Sequence, residues 1–218
     1  FSLLRLFALV VACLLPGFAM GTVSIQLRAG ELKSSDGQPM PVSGLVILVA
    51  STQDGEFGQP TSSAFVTGDD IIIYRGNLSN LNLPGQFNDF LAGMVLEGGW
   101  TTGDPLALYW YPTLTQEASV PGAGTPYGIY TAHPGAEADG SDPWVTPADG
   151  STISLFFLNA DALMPPFVQG GSFPASAGLA SRVVNGGPTD PDPTDPDPTD
   201  PDPTDRHRYA FGGRDAAG

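Results

Sequence analysis

The chain has 218 residues and a formal net charge of -15 at pH 7, from 8 Lys and Arg against 23 Asp and Glu. That balance excludes a general nucleic-acid binder, which needs cations against phosphates. With 28 Gly, 22 Pro and 14% charged residues, the composition speaks against a helical bundle and for turn-rich β structure, in one domain with appendages or two small ones.

The chain opens at Phe1, which reads as an incomplete or trimmed N-terminus. After Arg5 runs Leu6-Phe7-Ala8-Leu9-Val10-Val11-Ala12-Cys13-Leu14-Leu15, followed by Pro16-Gly17 and the small residue Ala19. A basic start, an apolar run and a small-x-small site predict a secretory signal helix over residues 1–19. Two other readings compete. A membrane anchor has 15 residues between Leu6 and Met20, short of the ~20 needed to span a bilayer. A lipoprotein signal would acylate Cys13, but Leu14 and Leu15 continue the apolar run where such a signal turns polar. Cys13 is the sole cysteine, so cleavage behind Ala19 leaves no thiol for disulfides, zinc-thiolate sites or a cysteine nucleophile. No membrane span is expected in the mature chain.

Residues 20–187 form the predicted folded domain, with four cations, Arg28, Lys33, Arg75 and Arg182, against 15 acids. Its strand candidates are Thr22–Arg28, with Val23, Ile25 and Leu27 on one face, then Leu45–Ala50, Ser62–Val66, Asp70–Arg75, Met94–Glu97, Leu106–Tyr111, Tyr127–Thr131 and Ile153–Leu158. Turn pairs separate them: Asp36-Gly37, Asp54-Gly55, Asp139-Gly140, Asp149-Gly150 and Asn185-Gly186. This order predicts an all-β fold, an antiparallel β-sandwich or jelly roll with at most one short helix. Leu45–Ala50 is apolar without alternation and should be a central strand covered on both faces. The one helix candidate is Gln86–Ala92, where Phe87, Phe90, Leu91 and Met94 keep i, i+3, i+4, i+7 spacing and Gly93 can cap the end.

Chemistry-bearing motifs are sparse. His133 lies in the loop-like run Ala132-His133-Pro134-Gly135 and reads as solvated, with general base or metal ligand as the alternatives. No nucleophile elbow, His-Glu-x-x-His pair, phosphate loop or EF-hand spacing is present. Glycoside hydrolysis needs only two carboxylates at suitable separation, and 15 acids make some such pair inevitable by chance. Asp69-Asp70 reads as turn and strand-edge residues, with a Ca²⁺ ligand as the alternative. No metal, cofactor or catalytic residue is assigned. The aromatics carry more. Alternation in Leu106–Tyr111 puts Leu106, Leu108 and Trp110 on one face and Ala107, Tyr109 and Tyr111 on the other. If the first face is core, Tyr109 and Tyr111 form an outward pair on which a sugar chain could stack, with Trp100 as a further contact. The competing reading packs both tyrosines under a loop. Trp100 and Trp144 likewise read either as plugs at the core edge or as ligand contacts.

The run Trp100–Pro112, with Tyr127-Gly128-Ile129-Tyr130, Pro147-Ala148-Asp149-Gly150 and Ala175–Val184, resembles a group of uncharacterised exported bacterial proteins with one β-rich domain. The resemblance covers most of residues 40–187. It implies the export and the β-rich fold, transfers no activity and nominates no residue.

From Pro188 the motif Pro-Thr-Asp-Pro-Asp repeats through residue 205. Proline fixes φ and lacks an amide donor, so residues 188–205 should be an extended polyproline II spacer, stiffened by seven aspartates that repel one another. Around that helix the carboxylates spread instead of converging on a calcium ion. Residues 206–218 read as a truncated, disordered tail. The expected protein is a non-catalytic structural or adhesive module, secreted or at the cell surface, on a stiff acidic linker. Its expected partner is an extracellular glycan or another surface protein. The alternatives are a carbohydrate-binding module using Tyr109, Tyr111 and Trp100, and a small hydrolase using paired carboxylates.

Overall fold

The computed structural model describes residues 21–131, 140–164, 168–169 and 171–185. The chain divides into two units, Phe1–Gly187 and Pro188–Gly218, and the second lies wholly outside the described residues. The predicted signal helix, linker and tail, and His133, also lie outside them.

The described residues are β-rich. The strands are β1 (Thr22–Gly30), β2 (Leu45–Ser51), β3 (Asp70–Gly76), β4 (Phe87–Val95), β5 (Leu106–Tyr111), β6 (Pro126–Thr131), β7 (Thr152–Leu158), β8 (Leu163–Met164), β9 (Val168–Gln169) and β10 (Arg182–Val183). Two principal sheets result, one in the order β4-β1-β7 and one in the order β10-β6-β5-β2-β3, and β8 with β9 makes a short hairpin. Every pair is antiparallel except β1 with β7, which run parallel in the register Ile25 to Ile153 and Leu27 to Leu155. The expectation of a wholly antiparallel fold is corrected at that one pair. Among the described residues no helix is long and apolar enough to cross a membrane.

Alternation decides what each strand buries. Val23, Ile25 and Leu27 of β1, Leu155 and Phe157 of β7, Val46 and Leu48 of β2, and Leu106, Leu108 and Trp110 of β5 meet in one cluster drawn from both sheets. The opposite face of the larger sheet builds a second cluster, with Leu45, Ile47, Val49, Ala107, Tyr109, Tyr111 and Tyr127 under Phe57, Phe65, Leu114 and Val184. β2 is therefore buried at all seven positions, as its unbroken apolar run requires.

What covers β2 is not a helix. The segment predicted as helix Gln86–Ala92 belongs to strand β4. Phe87 and Leu91 pair with Ala29 and Ile25, while Met94 pairs with Val23, so the four residues of β4 from Leu91 to Met94 lie opposite the three of β1 from Val23 to Ile25. This bulge holds Gly93 at φ 63°, a left-handed conformation suited to glycine. Ordinary alternation spaces Phe87 from Leu91 and turns Phe90 outward, and the bulge makes Met94 the next inward residue, so that 87, 91, 94 imitates a helical stripe. Of the predicted strand Met94–Glu97 only Met94 and Val95 lie in a strand, as the end of β4. Ser62–Val66 forms no strand beyond a bridge between Thr61 and Ala64, and its Phe65 sits edge-on to Tyr111 at 5.2 Å.

Side chains replace the missing ladder where strands end. Asn159, fully buried just after β7, accepts from the Glu31 and Asp161 backbone N–H groups at 2.9 and 3.1 Å and donates to the Glu31 carbonyl at 2.8 Å. Its amide thus satisfies both backbone groups of Glu31 as a neighbouring strand residue would.

Candidate functional site

The expected tyrosine platform exists but is closed. Tyr109 and Tyr111 do share the face opposite Trp110, and their exposures are 1% and 0%. Tyr127 from β6 stands between them, its ring 6.1 Å from Tyr109 and 5.7 Å from Tyr111 in near-parallel stacks. Loop residues Phe57 and Phe65 cover the ladder, and the Tyr109 hydroxyl donates to the Gly58 carbonyl at 3.3 Å. The outward-pair expectation is corrected for a physical reason: alternation fixes which face a residue takes, but loops distant in sequence decide whether that face meets water. Trp100 does not join the tyrosines. It packs in the core between the sheets, on the other side of β5, and its indole N–H donates to Thr146 Oγ1 at 2.6 Å. Trp100 and Trp144 are both plugs, 4% and 3% exposed.

Asp69 and Asp70 hold loops. Asp69 Oδ2 accepts from the Gln53 N–H at 2.6 Å and from the Ser51 hydroxyl at 3.3 Å, and Asp70 Oδ2 accepts from the Gly58 N–H at 2.7 Å. The two carboxylates thereby pin the segment from Gln53 to Gly58 across the end of the larger sheet. Burial, reinforced by the charges of Asp69 and Asp54, pushes the Asp70 carboxyl up to about 6, even though the Gly58 N–H favours its ionised form. Its Oδ1 is buried without a partner. Among the described residues no group of three or more His, Cys, Asp and Glu side chains is placed to hold a metal ion.

The two sheets leave a hollow along each side. Between β3 and β4 lies one of about 380 Å³, walled by Ile71, Ile73, Met94 and Trp100. Where β6 and β10 meet β7 lies a larger cavity of about 890 Å³. Its floor is an aromatic cluster around Tyr130, whose ring stacks on Phe157 at 4.2 Å and meets Trp144 edge-on at 4.9 Å and Phe173 edge-on at 5.4 Å. Exposed Glu56, Asp142 and Arg182 line it beside half-buried Phe57 and Ile129. The pinned segment supplies Glu56 and Phe57, so the Asp69 and Asp70 anchors position one wall.

Sequence reading weighed Trp144 by itself and passed over this cluster. The parity of β6 was its available signal, because Tyr127 and Tyr130 are three residues apart and must take opposite faces. Phe173 and Arg182 carried no signal, since their approach to β6 depends on a chain reversal far along the sequence.

Compared with family models, curated proteins and solved structures, the chain matches none.

Proposed function

We propose that residues 20–187 are a β-sandwich module without catalytic activity, structural or adhesive, belonging to a secreted or cell-surface protein and carried on the stiff acidic linker 188–205. The observation that carries this reading is the use to which the domain puts its carboxylates. Asp36, Asp54, Asp69, Asp70, Asp104, Asp142 and Asp149 each accept a backbone N–H, from Gln38, Glu56, Gln53, Gly58, Thr101, Ser154 and Thr22 respectively. Acids at turns and loop ends satisfy backbone donors that have no ladder partner, which accounts for a domain rich in Asp without invoking acid-base chemistry. The carboxyl that burial raises most, Asp70, lines neither hollow. A carboxylate hydrolase needs its protonated acid in the cleft beside a second carboxylate. The export reading is supported by the apolar run before Ala19 and by a domain whose sequence contains no cysteine after Cys13.

The test is incubation of the full chain with polysaccharide, peptide and ester panels. No turnover above the buffer rate is expected. Reproducible turnover abolished by Glu56→Gln or Asp142→Asn would overturn the proposal.

A further inference from the structure

We infer that residues 53–58 are a strap over the tyrosine ladder, latched by the buried Asp70 carboxyl, and that the proton on this carboxyl governs its release. The strap is closed in acid and opens more often toward neutral pH. This goes beyond the module reading and stands whether or not the domain is catalytic. The strap is thinly held. Gln53, Asp54, Gly55 and Glu56 are exposed, and of the strap residues only Phe57 packs against the apolar cluster beneath. At one end the Gln53 N–H donates to Asp69 Oδ2 at 2.6 Å. Just past the other, the Gln59 carbonyl accepts from Thr67 Oγ1 at 3.3 Å. Between these ties the latch is a single residue: the Gly58 N–H donates to Asp70 Oδ2 at 2.7 Å, and the Gly58 carbonyl accepts from the Tyr109 hydroxyl at 3.3 Å. A segment with few buried apolar contacts and an exposed backbone belongs to the low-stability end of a fold, where opening is local.

What surrounds Asp70 makes the latch sensitive to charge. The residue is 6% exposed, and its Oδ1 finds no hydrogen-bond partner among the described residues. An ionised carboxylate there leaves one buried oxygen unsolvated, whereas opening the strap lets water reach both. A neutral carboxyl occupies the same place at smaller cost and still accepts from Gly58 through Oδ2. Burial raises Asp70 from 3.8 to about 6, with Asp69 at the entry to β3 and Asp54 on the strap adding to it and the Gly58 N–H opposing. On β5, burial pushes the Tyr109 phenol up, so it keeps its proton; Tyr127 of β6 and Arg182 of β10 bear on that tyrosine. Desolvation also acts on Asp69, but backbone N–H groups led by that of Gln53 outweigh it and hold its carboxyl below 3.8, so Asp69 stays ionised where Asp70 titrates. The protonated latch therefore holds fully below about pH 4 and weakens as pH rises through 6. Release removes the wall that Gly55, Glu56 and Phe57 give the larger hollow, and it uncovers the Tyr109 hydroxyl. Phe65 remains edge-on to Tyr111.

Backbone hydrogen exchange of the full chain, followed by mass spectrometry and corrected for the intrinsic effect of pH on exchange, measures the opening. Strap amides are expected to open about tenfold more often at about pH 7.5 than at about pH 5, and to be far less protected than the amides of β2. Asp70→Asn keeps an acceptor for Gly58 and is expected to flatten the rise. Tyr109→Phe removes the carbonyl tie and is expected to increase opening about fivefold at both pH values, with the rise intact. Glu56→Gln, on the exposed strap, should leave the rise unchanged. Thermal midpoints establish that each variant is folded. Opening that is flat or falls with pH in the parent chain overturns the inference, and this arm needs no variant. A rise retained in folded Asp70→Asn overturns it too. Strap amides that exchange no faster than those of β2 would show that the segment opens only with the whole fold, which also overturns it.

Discussion

Asp70 shows how one side chain couples a loop to pH. Its carboxyl holds the Gly58 N–H while facing the charges of Asp69 and Asp54, and Tyr109 lies close by in the same buried surroundings. Because burial raises its pKa in the fold from 3.8 to about 6, the folded state binds this proton more tightly than the unfolded chain does. The stability contributed by the protonated form is complete below about pH 4 and is lost as pH rises through 6. Asp70→Asn keeps an oxygen for Gly58 and removes the buried charge. Denaturant unfolding should therefore show the variant less sensitive to pH between 4 and 7 than the parent, and at least as stable at pH 7. An equally steep decline in the variant would show that Asp70 is not the group responsible. None of this was legible in the sequence beyond the strand-edge position, since an Asp-Asp pair says nothing about which member is buried.

At the scale of the element, β5 and β6 show packing that composition hides. Trp110 is fully buried and lies across Gly128, its register partner on β6. A Cβ added at Gly128 would stand 2.0 Å from two carbons of the indole ring, a distance no rotamer change of a fully packed Trp can relieve. Gly128→Ala should cost roughly 3 kcal/mol or more, lowering Tm by roughly 10 °C for a domain of this size. Calorimetry of the variant checks this, and a shift under about 2 °C would mean that Trp110 repacks freely. The bulge in β4 teaches the converse lesson. Gly93 was visible as a helix cap in the spacing of Phe87, Leu91 and Met94, yet the same spacing arises when a strand gains one residue. Periodicity measures which residues point inward and is silent on the backbone that makes them do so.

At the scale of the molecule, the two apolar clusters share β2 and β5, each strand giving alternate residues to one cluster and then to the other. Neither cluster can melt without unpairing strands that the other needs. Unfolding should accordingly be one cooperative transition. All three tryptophans, Trp100, Trp110 and Trp144, report the core between the sheets, whereas Tyr109, Tyr111 and Tyr127 report the covered outer face. Tryptophan emission and the near-UV tyrosine signal should give one midpoint in denaturant. Separate midpoints would mean that the loop cover over the tyrosines opens as a unit of its own.

The sequence alone determined the strand-forming segments β1, β2, β3, β5, β6 and β7, the faces taken by the residues of β1 and β5, and the central, doubly covered place of β2. These follow from local steric preference and a period of two, which act over a few residues. Tertiary structure alone decided that β7 runs parallel to β1, that loops close over Tyr109 and Tyr111, and that Phe173 and Arg182 come to rest beside Tyr130 and Trp144. Those outcomes depend on contacts between segments separated by scores of residues, where burial is settled by whichever distant surface fits, and no local pattern encodes that choice.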